Sequence, residues 1–328
     1  MIEHYLYILA GFVALFYGAE FLVKGASEIS LKLGVSPLVV GLTVVAFGTS
    51  APELLVCIDA NAQGSPDQAF GTIIGSNICN IALILGVGAL IRPIKIHRQI
   101  IRREVPILLV SSIIFVLMLI DKEIARWEGG LLFAGVVVYV ISSLRMSKGE
   151  IAVDDALEMT PEDIEKAKNS GMSALALSVV AIIAGLVMLK FGSGWLVKHG
   201  SIVATSLGVS EAIIGLIILA FGTSLPELAT SIVASKNGEG DIITGNAVGS
   251  CIFNILAVIG IAAMVQSLAA ENINWMDMGV MLAIIVIIFP MMWSRGSLSK
   301  LEGAVLLTFY FGYIITRFMI DKGMLSIG

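Results

Sequence analysis

The chain has 328 residues, of which 57% are apolar and only 14% charged, with a net charge of −5. Soluble domains carry about 25% charged residues, so a single water-exposed globule is excluded. The balance is also mildly acidic, which leaves no basic field for nucleic acid.

The apolar residues fall into long blocks, and a bilayer-spanning helix needs about 20 of them. In chain order the blocks predict about ten spans: 5–23, 35–61, 67–91, 104–120, 127–145, 172–197, 209–235, 241–265, 275–293 and 300–320. The first block runs into a second span with no Ala-x-Ala-like cleavage site, so it reads as a membrane helix. Cys57, Cys79 and Cys251 all lie inside spans and read as small free thiols in packed helices. Cytoplasmic loops favour Lys and Arg. With both termini outside, the inward loops hold 14 of the 20 basic residues, and this sets the expected orientation.

The chain is written twice. GVSPLVVGLTVVAFGTSAPELL at 34–55 returns as GVSEAIIGLIILAFGTSLPELA at 208–229, an offset of 174 residues. Between Leu33 and Glu53, 13 of 21 positions are identical in the two copies. The offset holds without a gap for GTIIGSNICNIALILG (71–86) against GNAVGSCIFNILAVIG (245–260). Five spans separate equivalent helices, and an odd number turns the second copy upside down. Inverted repeats of this kind place a substrate site at their interface. The expected fold is an all-α polytopic membrane protein: ten helices in two inverted five-helix repeats, 1–145 and 172–328, joined by a charged cytoplasmic linker at 146–171.

The densest signal lies in mid-span, at Ala46-Phe-Gly-Thr49-Ser50-Ala-Pro52-Glu53 and its twin Ala220-Phe-Gly-Thr223-Ser224-Leu-Pro226-Glu227. Proline removes a backbone donor and clashes with the preceding turn. The helix is expected to break there and free carbonyl oxygens such as those of Ala46, Thr49, Ala220 and Thr223, which in hydrocarbon need another partner. An ionised side chain at the bilayer centre costs at least about 2.5–3.5 kcal/mol on insertion scales. No Lys or Arg lies inside the four repeat spans to neutralise Glu53 or Glu227. Carboxylate, hydroxyl and carbonyl oxygens are the ligands of a hard cation, Ca²⁺ above all, and the absence of His from the motifs argues against Zn²⁺ or Cu²⁺. Ser76 and Asn80, and likewise Ser250 and Asn254, stand four apart on one helical face and offer further oxygens. Asn77 and Cys251 differ between copies, and position 77 is expected to point away from that face.

Two carboxylates are neutralised by one Ca²⁺ or by at least two Na⁺, so the ions compete. Gly11, Gly18 and Gly25 recur every seven residues in the first span, with Gly185 and Gly192 at the repeat offset and His199 in the third place. Such a face allows close helix approach and sliding. Asp59 lies six residues past Glu53, either lining an outward passage or simply solvated. An intramembrane enzyme would need a nucleophile and base in reach, and His4, His97 and His199 lie at or near span ends and form no such set. A channel is disfavoured because paired buried carboxylates bind too tightly for fast conduction.

At these motifs the sequence resembles the cation/Ca²⁺ exchanger superfamily, and most of all its prokaryotic Na⁺/Ca²⁺ exchangers, over essentially the whole chain. The resemblance implies ten helices, with the first and sixth sliding against a rigid core. It also implies ligation by Glu53 and Glu227, helped by Ser50, Ser76, Ser224, Ser250 and the carbonyls of Ala46, Thr49, Ala220 and Thr223, with Asn80 and Asn254 flanking the centre. The implied activity is electrogenic Na⁺/Ca²⁺ antiport, with Ca²⁺/H⁺ exchange on the same fold as the alternative. Ca²⁺ and Na⁺ are transported ions, no cofactor is expected, and the chain is expected to work as a monomer in a prokaryotic plasma membrane. Asn254 stands where the K⁺-dependent branch has Asp, which argues against K⁺ co-transport.

Overall fold

The computed structural model describes residues 2–150, 172–207, 220–270, 275–321 and 324. Most of the expected linker and the first part of the 209–235 span lie outside the described residues. Among the described residues nine helices are long and apolar enough to cross a membrane. We label the helices α1 (Ile2–Leu33), α2 (Pro37–Ala62), α3 (Pro66–Ile91), α4 (Ile100–Asp121), α5 (Arg126–Glu150), α6 (Met172–Ser206), α7 (Leu225–Asn237), α8 (Gly240–Val265), α9 (Trp275–Arg295) and α10 (Lys300–Asp321). The expected spans map onto these helices with ends moved by a few residues. The large exceptions are α1 and α6, which run about ten residues past the apolar blocks. Polar residues such as Lys24, Ser27, Glu28 and Lys32 continue α1 until Gly34, whose φ of 62° closes it. Residues 146–150, expected as loop, are the last turn of α5.

Helix α2 starts on a built cap. The Ser36 hydroxyl accepts the Val39 amide at 3.3 Å, and Pro37 supplies the fixed φ of the first turn. Helices α3 and α8 form the centre, each with 83% of its apolar window buried, while α10 at 17% is peripheral. Both central helices carry a π-helical stretch, Cys79–Ile84 in α3 and Asn254–Ile259 in α8, and α2 carries one at Gly41–Val45.

The contacts come in pairs related by the repeat offset. Strand β1 (Ile94–Lys95) pairs with β4 (Ser297–Leu298), and β2 (Glu123–Ile124) with β3 (Leu268–Ala269), with Ile94 opposite Leu298 and Ile124 opposite Leu268. Adding 174 to Ile94 and Ile124 gives Leu268 and Leu298, so one ladder is the image of the other.

Helices α1 and α6 cross antiparallel on their glycines. A Cβ on Gly18 would stand 3.0 Å from the Gly185 carbonyl oxygen, and one on Gly11 2.9 Å from that of Gly192. The seam closes at one end on His4 and His199, whose Nδ1 atoms are 2.8 Å apart. At the other end Lys32 donates to Ser178 at 2.9 Å, and Ser178 donates to Glu28 at 2.6 Å.

Candidate cation site

The helix breaks where the sequence predicts. A short turn, Ala46–Thr49, ends at Ser50 (φ −81°, ψ 1°), and helix resumes at Ala51 with Pro52 in its first turn. In the second copy the helical residues Ala220–Gly222 are followed by Ser224 (φ −87°, ψ 5°) and by Pro226 in the first turn of α7. Pro52 and Pro226 have no N–H, so the carbonyls four residues earlier, Gly48 and Gly222, are the ones deprived of an intrahelical donor. The expectation for Ala46 is corrected: its carbonyl is not freed, because it accepts the Ser50 amide at 3.0 Å and lies 3.4 Å from the Thr49 hydroxyl. Only its second lone pair is open. Ala220 lies in the matching turn.

The break turns both glutamates inward. Glu53 and Glu227 are each 0% exposed, and neither is in an ion pair among the described residues. Ser76 Oγ donates to Glu53 Oε1 at 3.4 Å, and Ser224 Oγ donates to Ser76 Oγ at 3.3 Å. The first copy's carboxylate is thereby joined to the second copy's hydroxyl. The reciprocal neighbours are Thr223 beside Glu53 and Thr49 beside Glu227. The carboxylates lie within electrostatic reach of each other. Ser50, Asn80, Ser250 and Asn254 are buried with them.

Many of these oxygens have no donor. Among the described residues, both oxygens of Glu227, Oε2 of Glu53, Oδ1 of Asn80 and Asn254, and the hydroxyls of Ser50 and Thr223 are buried without a hydrogen-bond partner. An unpaired buried polar atom costs roughly 1–3 kcal/mol, and more if charged. A cluster of such acceptors is stable around a cation, and Ca²⁺ takes six to eight oxygens from this donor set.

Two residues escaped the sequence reading. Asn77 does not point away from the polar cluster: it is buried, accepts the Asn254 amide on Oδ1 at 3.1 Å, and donates to the Cys251 carbonyl at 3.4 Å. Asn246 places Oδ1 3.1 Å from the Thr49 hydroxyl. Its repeat counterpart Thr72 instead donates to Gln68 in its own helix, so Thr223 has no such contact and stays half-buried. Thr72 standing where the other copy has Asn246 therefore makes the two halves of the site unequal. The three cysteines are free and buried, as expected. Asp59 is exposed and accepts the Gln63 side chain at 2.7 Å, one turn on, which fits the solvated reading.

Asn80→Ala and Asn254→Ala are expected to lower uptake by about ten-fold or less, since each removes one neutral oxygen worth roughly 1–1.5 kcal/mol. Initial rates of ⁴⁵Ca²⁺ uptake in proteoliposomes measure this.

The sequence pattern described as "Sodium/calcium exchanger protein" matches the chain twice, at residues 3–145 and 177–319. The chain is 34% identical over 303 residues to inner membrane protein YrbG of Escherichia coli, covering 92% of each. It is 30% identical over 353 residues to sodium/calcium exchanger MaX1 of Methanosarcina acetivorans, covering 97% of this chain and 99% of that one. Among solved structures, the sodium-calcium exchanger NCX_Mj superimposes with a TM-score of 0.82 at 28% identity, over 96% of this chain and 98% of that one. A polytopic helical chain with this pattern in both halves is a transporter. It belongs to the sodium/calcium exchanger family.

Proposed function

We propose that the chain exchanges Na⁺ for Ca²⁺ across the plasma membrane by alternating access, at one site shared between two inverted five-helix repeats. The repeats are residues 1–145 and 172–328, with 146–171 as the cytoplasmic linker. The antiparallel α1/α6 seam and the interchanged strand ladders support inversion, because a two-fold axis in the membrane plane relates antiparallel copies. The observation that carries the ion site is the line of oxygens from Glu53 through Ser76 to Ser224, which ties one repeat's carboxylate to the other repeat's hydroxyl in a dry interior.

Glu53 and Glu227 bind the ions and hold the charge constant. One Ca²⁺ or at least two Na⁺ neutralise them, so loading with one ion expels the other. Thr49, Thr223, Ser50, Ser224, Ser76 and Ser250 replace water in the ion's shell, Asn80 and Asn254 flank it, and the Ala46 and Ala220 carbonyls complete the set. Access is switched by α1 and α6. Gly48 packs on Leu186 and Gly222 on Val197, so both broken turns rest on α6 and are covered or uncovered as that helix slides. More Na⁺ charge than Ca²⁺ charge crosses per cycle, so the exchange is electrogenic. The basic loops place both termini outside, and one chain is the working unit.

Proteoliposomes loaded with Na⁺ and diluted into Na⁺-free buffer are expected to accumulate ⁴⁵Ca²⁺ and to do so faster with a K⁺/valinomycin shunt. Uptake driven equally well by an outward proton gradient at zero Na⁺ would assign the site to Ca²⁺/H⁺ exchange instead.

A further inference from the structure

Away from the ion site, α4 and α5 part to leave a groove of about 530 Å³ open to the side of the molecule. Its walls are hydrocarbon: Pro106, Val110, Ile114 and Met118 from α4, Gly135 from α5, and Leu256 as the floor. The hydroxyl of Ser111, which also borders it, is spent on the Leu108 carbonyl at 2.9 Å. A polar ligand would find no partner there. From Pro106 to Met118 the helix rises about 18 Å, at 1.5 Å per residue. One leaflet of the hydrocarbon core is about 15 Å deep, half of the ~30 Å total. The groove has the length of a single acyl chain.

Its inner end is cationic. Arg102 is exposed, one turn before Pro106. Arg103 reaches across from α4 to donate to Ser142 of α5, lies 3.4 Å from Glu104 and sits over the Tyr139 ring. Arg145, three residues past Ser142, is exposed like Arg102. Arg103 is therefore engaged in closing the seam, while Arg102 and Arg145 flank its end. In the orientation set by the basic loops this end lies in the inner leaflet, at headgroup depth.

We propose that the α4/α5 groove is a binding site for an anionic phospholipid of the inner leaflet, with one acyl chain laid along Pro106–Met118 and its phosphate held by Arg102 and Arg145. The site reaches the transport machinery through Leu256, which belongs to the π-helical stretch that begins at Asn254. A chain in the groove buttresses that stretch from the side opposite the ions. The binding claim does not depend on which ions are exchanged.

Native mass spectrometry of the purified chain tests it, with phosphatidylglycerol and phosphatidylcholine of identical chains added in parallel. Two surface arginines are expected to favour phosphatidylglycerol about ten- to thirty-fold. Arg102→Gln with Arg145→Gln is expected to erase the preference, and Arg295→Gln, at the end of α9, to leave it intact. Gly135→Leu is expected to reduce retention of both lipids by filling the groove; the added Cβ meets Leu256 at an ordinary 3.6 Å, so the fold should tolerate it. Equal retention of the two lipids by the unaltered chain overturns the proposal whatever the variants do. Full retention by a folded Gly135→Leu chain overturns the placement in the groove.

Discussion

Glu53→Gln and Glu227→Gln are each expected to lower Na⁺-driven Ca²⁺ uptake by at least about a hundred-fold while leaving the protein folded. Each change keeps the shape of the side chain and removes one of two charges that face a divalent ion in a dry interior. Removing one partner of a buried charge pair costs roughly 3–5 kcal/mol, and each 1.4 kcal/mol is a factor of ten in affinity. Stability should move the other way. Both Glu227 oxygens lack a donor among the described residues, so neutralising that carboxyl relieves repulsion with Glu53 when no ion is present. Thermal melts in Na⁺-free, Ca²⁺-free buffer should show the Gln variants as stable as the unaltered chain or more so. A Gln variant that transports normally would remove Glu53 and Glu227 from the ion site.

The second large effect is expected at the α1/α6 seam. A Cβ at Gly185 would lie 2.7 Å from the Gly18 carbonyl oxygen and 2.8 Å from the Leu22 amide nitrogen. Both are backbone atoms and cannot rotate away, so Gly185→Val must push the helices apart. Overpacking of this kind costs about 1–3 kcal/mol, and transport should fall by more than about ten-fold because the spacing that permits sliding is lost. Gly194 lies on the same helix, and a Cβ there meets nothing within 4 Å. Gly194→Val should therefore be silent in both the melt and the uptake assay. Equal effects of the two variants would show that the seam has no special role.

The scale of the fold was legible because hydropathy and length dominate a membrane chain: the spans from Pro37 to Asp121 and from Gly240 to Asp321 fall within a few residues of their sequence-based limits. The Glu53 and Glu227 pair was legible because charge in hydrocarbon demands a reason, and because the same reason is written twice. The errors have a local origin. A straight helical wheel turns Asn77 away from the Ser76/Asn80 face, yet π-helix begins at Cys79 and shifts Asn80 relative to Ser76 and Asn77. The same wheel took no account of α8, which packs on the other side of α3 and brings Asn254 to Asn77. A lone Asn in an apolar span needs a partner, and that demand at positions 77 and 246 was the available signal. The Ala46 carbonyl was misjudged because proline deprives the residue four before it, Gly48, whereas Ser50 keeps its own amide for Ala46.

In the proposed mechanism one pool of cation charge is held jointly by the two halves. Ca²⁺ titration of the purified chain by calorimetry, repeated over a Na⁺ series, tests it most directly. One Ca²⁺ is expected per chain, displaced by Na⁺ with a cooperative dependence, with no measurable Ca²⁺ binding in either Gln variant. Ca²⁺ binding that survives in both variants, or that is indifferent to Na⁺, would contradict it.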